Sequence, residues 1–158
     1  MALSDWKYKH KGRSYQISEI NDMKNFEPKV WGFVYLLTLV NPKTKVADYY
    51  YIGKKNIYSK RKRNFGKKEV ASMKDKRAKK YEYVITESDW KTYASSNKFI
   101  KANQGKYNIT REILLFSTND MDLKYKEAKE IICQNAMEDS TFLNNGVSIR
   151  KFKDYVEP

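Results

Sequence analysis

Cysteine and histidine are almost absent from this chain. The single cysteine, Cys133, excludes an internal disulfide, and fits a reducing cytosol. The single histidine, His10, cannot build a His-rich metal site, and without a Cys/His cluster a structural zinc is excluded. No apolar run approaches the ~20 residues of a membrane-spanning helix. The opening residues Met1 to Trp6 hold no signal-peptide core. A soluble, cytoplasmic protein with no membrane partner is expected. Acidic residues are in the minority, 19 against 32 Lys and Arg, leaving a net charge of +13 and a pI near 9.6. That balance points to a polyanionic partner.

The 158 residues suffice for one domain with a real core, and 41% of them are hydrophobic. Aromatic residues reach 15%, with 13 tyrosines, a side chain suited to surfaces both apolar and wet. The positive charge is concentrated. Thirteen Lys and Arg between Lys54 and Lys80 face only Glu69 and Asp75, which puts +11 of the chain's +13 in one segment. A charge run is ordinarily a solvated face, but this concentration favours a phosphate-facing role.

Residues 1–29 are polar and mixed and read as an extension or a short capping helix. Trp31 to Val40 is β-branched and aromatic, as a buried strand should be. Asn41-Pro42-Lys43-Thr44-Lys45 is a turn. Tyr49 to Gly53 is a second strand, making a hairpin. A short helix is expected over Lys98 to Asn103, ended near Gly105. Asn108 to Phe116 reads as a third strand. The N-cap residues Ser117 to Asp120 announce a helix from about Met121 to Ala136, with Met121, Ala128, Ile131, Ile132 and Asn135 on its inner side. The segment from Phe142 to Tyr155 reads as a last strand or loop. The expected domain is 30–150, with a basic insert at 62–89 and a tail at 151–158.

Gly32-Phe33-Val34-Tyr35, then an unaltered Tyr51-Ile52-Gly53, then Arg61 eight residues on, form an ordered set. Tyr93-Ala94-Ser95-Ser96, Glu127 on the late helix and Asn144 continue it. In this order the chain resembles the GIY-YIG endonuclease family, most closely its phage-type members, over roughly residues 31–146. Three features depart from the pattern: Phe33 stands where a Gly is usual, the hairpin between the motifs is a few residues longer, and the His or Tyr common after the Arg helix is missing, since Phe65 and its neighbours offer no such group. The resemblance implies an α/β (α+β) fold, a small, mainly antiparallel three-stranded sheet flanked by helices. It also implies an Mg2+- or Mn2+-dependent hydrolysis of DNA, in the host cytoplasm if the protein is viral. No separate recognition domain of the kind homing members append is visible. A homodimer would permit double-strand cuts.

Phosphodiester hydrolysis needs an activated water and charge stabilisation on the phosphoryl group, and usually a metal. The resemblance casts Tyr35 as general base. A free tyrosine titrates near 10, and cationic Lys55 and Arg61 nearby would lower that value. Tyr51 would orient water or substrate; packing is the competing role for both tyrosines. Arg61, expected on the first helix, would clamp the scissile phosphate with its planar fork. Glu127 is the preferred metal ligand because it sits at the edge of the apolar stripe, with Glu130 about 60° further toward solvent. Gly53 lets backbone pass close to a ligand. Lys54, Lys55, Lys60, Arg63, Ser95, Ser96, Lys98 and Asn144 complete the expected DNA contacts. N-capping for the serines and a turn role for Asn144 are the alternatives. An altered first motif also fits a binding module with weakened chemistry.

Overall fold

The computed structural model describes residues 3–10, 13–16 and 30–148. Its strands are β1 (Leu3–His10), β2 (Arg13–Gln16), β3 (Gly32–Val40), β4 (Ala47–Asn56), β5 (Tyr58–Asn64), β6 (Tyr81–Glu87) and β7 (Asn108–Ser117). Its helices are α1 (Lys67–Ser72), α2 (Lys98–Asn103) and α3 (Asp120–Cys133). The main sheet runs β2-β1-β7-β3-β4, and β5 and β6 form a separate two-stranded ribbon.

β3 is apolar throughout because both of its faces are covered. Phe33, Tyr35, Leu37 and Leu39 point into a cluster with Trp6, Trp90, Ile100, Ile109 and Ile113. Val34 points the other way, against Leu123 and Ile131 of α3 and Ile52 of β4. The sheet therefore carries a core on each face. On α3, Leu123, Ala128 and Ile131 are buried, whereas Met121 and Ile132 are exposed. Asn135, expected on the inner side, follows the helix with a positive φ of 51°, a conformation asparagine tolerates at a helix end. The helix starts where expected, with the Asn119 side chain accepting from the Asp122 amide.

Two expectations are corrected. The sheet has five strands, not three, because β1 adds to β7 in parallel and β2 pairs with β1 antiparallel. The first part of the expected extension is thus an integral strand, and Trp6 is fully buried against Phe33 and Tyr35. Residues 17–29 and the expected tail at 151–158 lie outside the described residues. The second correction concerns the basic segment after Gly53, which is strand rather than helix up to Asn64. Its residues Lys60 to Arg63 pair in register with Ile85, Val84, Tyr83 and Glu82 of β6. Within the described residues, β-branched and aromatic partners in β6 give the cationic strand cross-strand neighbours that a helix could not.

Candidate active site

β4 is the last strand of the sheet, and its free edge is where the site forms. The edge is closed by a return of the chain after α3. Tyr50 donates to the Thr141 carbonyl (2.9 Å) and accepts from the Leu143 amide (2.8 Å). Asn144 then straddles Ile52, its Oδ1 accepting from the Ile52 amide (3.0 Å) and its Nδ2 donating to the Ile52 carbonyl (2.8 Å). The next outward amide along the edge, that of Lys54, donates to the Glu127 carboxylate. A cavity of about 300 Å3 opens beside this edge, lined in part by Tyr51, Asn97, Glu127, Ile131, Leu143 and Asn144.

Register places the two tyrosine motifs together. Tyr35 lies directly opposite Gly53, so both point to the same face. A Cβ at Gly53 would stand 2.5 Å from Tyr35 Oη and 2.9 Å from Tyr51 Cε1. Only glycine lets the Tyr35 ring lie across the strand at this point. The rings of Tyr51 and Tyr93 stand 6.3 and 6.2 Å from that of Tyr35. The buried Ser95 hydroxyl hydrogen-bonds to both Tyr35 and Tyr51.

The electrostatics differ from expectation. Burial pushes the Tyr35 hydroxyl well above its ordinary value, and the neighbouring Tyr93 and Tyr51 push the same way. With 1% of its surface exposed, Tyr35 stays a neutral phenol inside the core. The cations expected to lower it are elsewhere. Lys55 bonds Asp89 (2.6 Å) and covers the Tyr93 ring at 3.8 Å. Arg61 is exposed on β5 and does not line the cavity. Tyr51 is raised by burial first and by the Glu127 charge second. Glu127 is itself raised by burial, opposed by the charge and the amide of Lys54. Glu130 accepts from Gln134 (2.9 Å) and is not among the cavity-lining residues.

Several expected DNA contacts are committed to the fold. Arg63 spans Glu82 (2.7 Å) and Glu69 (2.9 Å), tying the ribbon to α1. Ser95 accepts from the Asn97 amide (3.0 Å) behind the tyrosines, and Asn144 is spent on Ile52. Lys54 is half-buried beside Glu127, whereas Ser96, Lys98 and Lys60 are exposed.

Two residues that organise the site had been given no role by the sequence, although Tyr93 opens one of the quoted motifs. Tyr93 is the third ring of the tyrosine cluster. Arg111 is buried, donating to the carbonyls of Ser4 (2.7 Å), Lys91 (3.0 Å) and Tyr93 (2.8 Å) while stacking on Trp6. It fastens the loop carrying Tyr93 and Ser95 to β7. Its signal was available: Ile109, Arg111 and Ile113 share one face of a strand, so a cation there must have buried partners.

The family model described as "Putative endonuclease segE, GIY-YIG domain" matches residues 6–147. The chain belongs to the GIY-YIG family. Neither the curated proteins nor the solved structures gave a match. This GIY-YIG domain is therefore a nuclease by family, whose Tyr-Ile-Gly motif opens onto the β4 edge. The match begins at Trp6, so Trp6 to His10, the larger part of β1, lies inside the matched region. No helix among the described residues is long and apolar enough to cross a membrane.

Proposed function

We propose that this protein is a metal-dependent DNA endonuclease whose working groups are Glu127, Tyr51 and Lys54, with Tyr35 in support. The observation that carries the reading is the shared cavity at the β4 edge, lined by both the half-buried Glu127 and Tyr51, the first residue of the Tyr-Ile-Gly motif, close enough for the Glu127 charge to act on the Tyr51 phenol. Desolvation leaves that carboxylate short of countercharge, since Lys54 is the cation that stabilises it. A divalent cation would supply the deficit.

Among the described residues there is no group of three or more Asp, Glu, His or Cys able to hold a metal. This suits Mg2+ or Mn2+ rather than zinc, because Mg2+ is commonly held by one or two carboxylates, with waters and substrate phosphate oxygens completing its shell. Glu127 would hold the ion, which when bound would supply Lewis-acid polarisation of the phosphate and a lowered pKa for water. Tyr51 orients the attacking water through its phenol. Lys54 adds positive charge where the phosphoryl group becomes more negative. Tyr35 fixes the Tyr51 ring and the Ser95 hydroxyl and does not itself meet the substrate. Tyr51 thus keeps the role that the resemblance implied, and Tyr35 gives up that of general base for the packing role.

One observation favours a second reading. With Arg61 off the cavity, no guanidinium lines it among the described residues, as in a binding module with weakened chemistry. Incubating supercoiled plasmid with the protein in EDTA, Mg2+ or Mn2+ separates the two. Nicked or linear product only with metal, lost in Tyr51→Phe, supports the nuclease. Salt-sensitive DNA binding without cutting in any metal supports the module.

A further inference from the structure

Beyond Tyr58, which packs against the first core, the β5–β6 ribbon stands apart from both cores. Its strands contact each other extensively and no other strand or helix of the domain to a comparable extent. A bare two-stranded ribbon is marginal in water, yet this one displays apolar side chains: Tyr83 is 55% and Ile85 58% exposed. Such display on a projecting element marks a surface that meets a partner.

The two faces of the ribbon differ. By register, Lys60, Lys62, Tyr81, Tyr83 and Ile85 share one face with Tyr58, Asn64 and Glu87 at its ends, Glu87 being paired with Lys91 (3.0 Å), and Arg61, Arg63, Glu82 and Val84 share the other. On the second face Arg63 is neutralised by Glu82 and Glu69. On the first, Lys60 sits 4.6 Å over the Tyr83 ring and Lys62 4.0 Å over the Tyr81 ring. Neither lysine has an acidic partner among the described residues. The first face is thus a plate of aromatic and aliphatic groups topped by two ammonium groups without acidic partners among the described residues.

We propose that this face enters the major groove of duplex DNA and reads base edges there. The inference rests on DNA being the substrate of the cavity at the β4 edge. Three arguments favour this occupant. From Tyr58 to Glu87 the ribbon and the loop it carries hold eleven Lys and Arg against four acidic residues, +7 of the chain's +13, which repels a second copy of the chain and attracts a polyanion. Two strands spaced ~4.8 Å apart, with side chains, fit a groove ~12 Å wide that admits a β-ribbon. Seven residues per strand give a length of roughly 23 Å, well over half a helical turn. Stacking on unpaired bases needs free ring faces, and here ammonium groups already cover them. The plate instead offers ammonium donors for guanine N7 and O6, and apolar groups for thymine methyls.

The test uses the full chain in EDTA, so that it reads binding whether or not the protein cuts. Dimethyl sulfate methylates guanine N7 in the major groove and adenine N3 in the minor groove of a bound random-sequence duplex. The proposal expects N7 protection, lost in Lys60→Ser/Lys62→Ser/Tyr83→Ser together with about a tenfold or greater fall in duplex affinity. Val84→Ser, on the opposite face, keeps the protection, and unchanged thermal unfolding of both variants certifies their folds. Protection of adenine N3 alone overturns the proposal. So do tighter binding to the single strand than to the duplex, and a concentration-dependent dimer abolished by the triple variant. Failure to cleave plasmid in Mg2+ alongside intact N7 protection would sink the nuclease and leave the groove contact standing.

Discussion

Gly53→Ala is the smallest change that reaches both motif tyrosines at once. The new methyl would lie 2.5 Å from Tyr35 Oη, 2.6 Å from Tyr35 Cζ and 2.9 Å from Tyr51 Cε1. Ordinary carbon contacts lie near 3.5–4.0 Å, so the Tyr35 ring must move by roughly 1 Å. It has no room to do so, since Trp6 packs at 5.4 Å and Tyr93 at 6.2 Å between ring centroids. Overpacking of this kind costs about 1–3 kcal/mol. For a domain of this size that lowers Tm by on the order of 3–10 °C. Tyr51 moves with its neighbour, and a displacement of ~1 Å in a positioned group costs about a hundredfold in rate. Thermal unfolding by circular dichroism and plasmid cleavage in Mg2+ measure the two losses. Combining Gly53→Ala with Tyr35→Leu makes room for the methyl, so the pair should cost less than the sum of the singles. Strict additivity, or a Gly53→Ala protein with wild-type Tm and rate, would refute the reasoning.

Other outcomes follow from the same geometry. Arg111→Met strips donors from three loop and strand carbonyls, and should destabilise by about 3 kcal/mol or more in denaturant melts. Burial holds the Glu127 carboxyl above its ordinary range, so the folded state binds that proton more tightly than the unfolded chain. Its ionisation opposes folding at neutral pH, and the penalty fades as pH falls below the ordinary carboxylate range. Glu127→Gln should therefore raise the Tm of metal-free protein at pH 7, with the gain shrinking on acidification; a lowered Tm at pH 7 would contradict this. Arg61→Ala should keep kcat at saturating DNA within a few-fold, because the side chain is exposed on the ribbon and off the cavity. A thousandfold loss of kcat would mean that the ribbon folds over the site when DNA binds.

β3 and β7 were legible by their apolar content, β4 by its tyrosines and closing Gly53, α2 by its stop near Gly105 and α3 by its N-cap residues. β1 was not, since Trp6 is its one fully buried side chain and the polar residues around it look like a tail. The ribbon was hidden by its charge: Lys60 to Arg63 has no apolar alternation, although Tyr81 to Thr86 is as β-prone as any segment of the chain. The separation of Glu127 from Glu130 could be read from helical angle alone. That Tyr35 is sealed in the core while Tyr51 faces the cavity could not, because it depends on β4 being an edge strand and on Arg111 pinning the loop above it.

The most direct test of the account compares plasmid cleavage in Mg2+ by the wild type, Glu127→Ala and Glu130→Ala. The account predicts cutting by the wild type and by Glu130→Ala, and none by Glu127→Ala. Cutting by Glu127→Ala at the wild-type rate, or equal cutting by the wild type in EDTA, would contradict it.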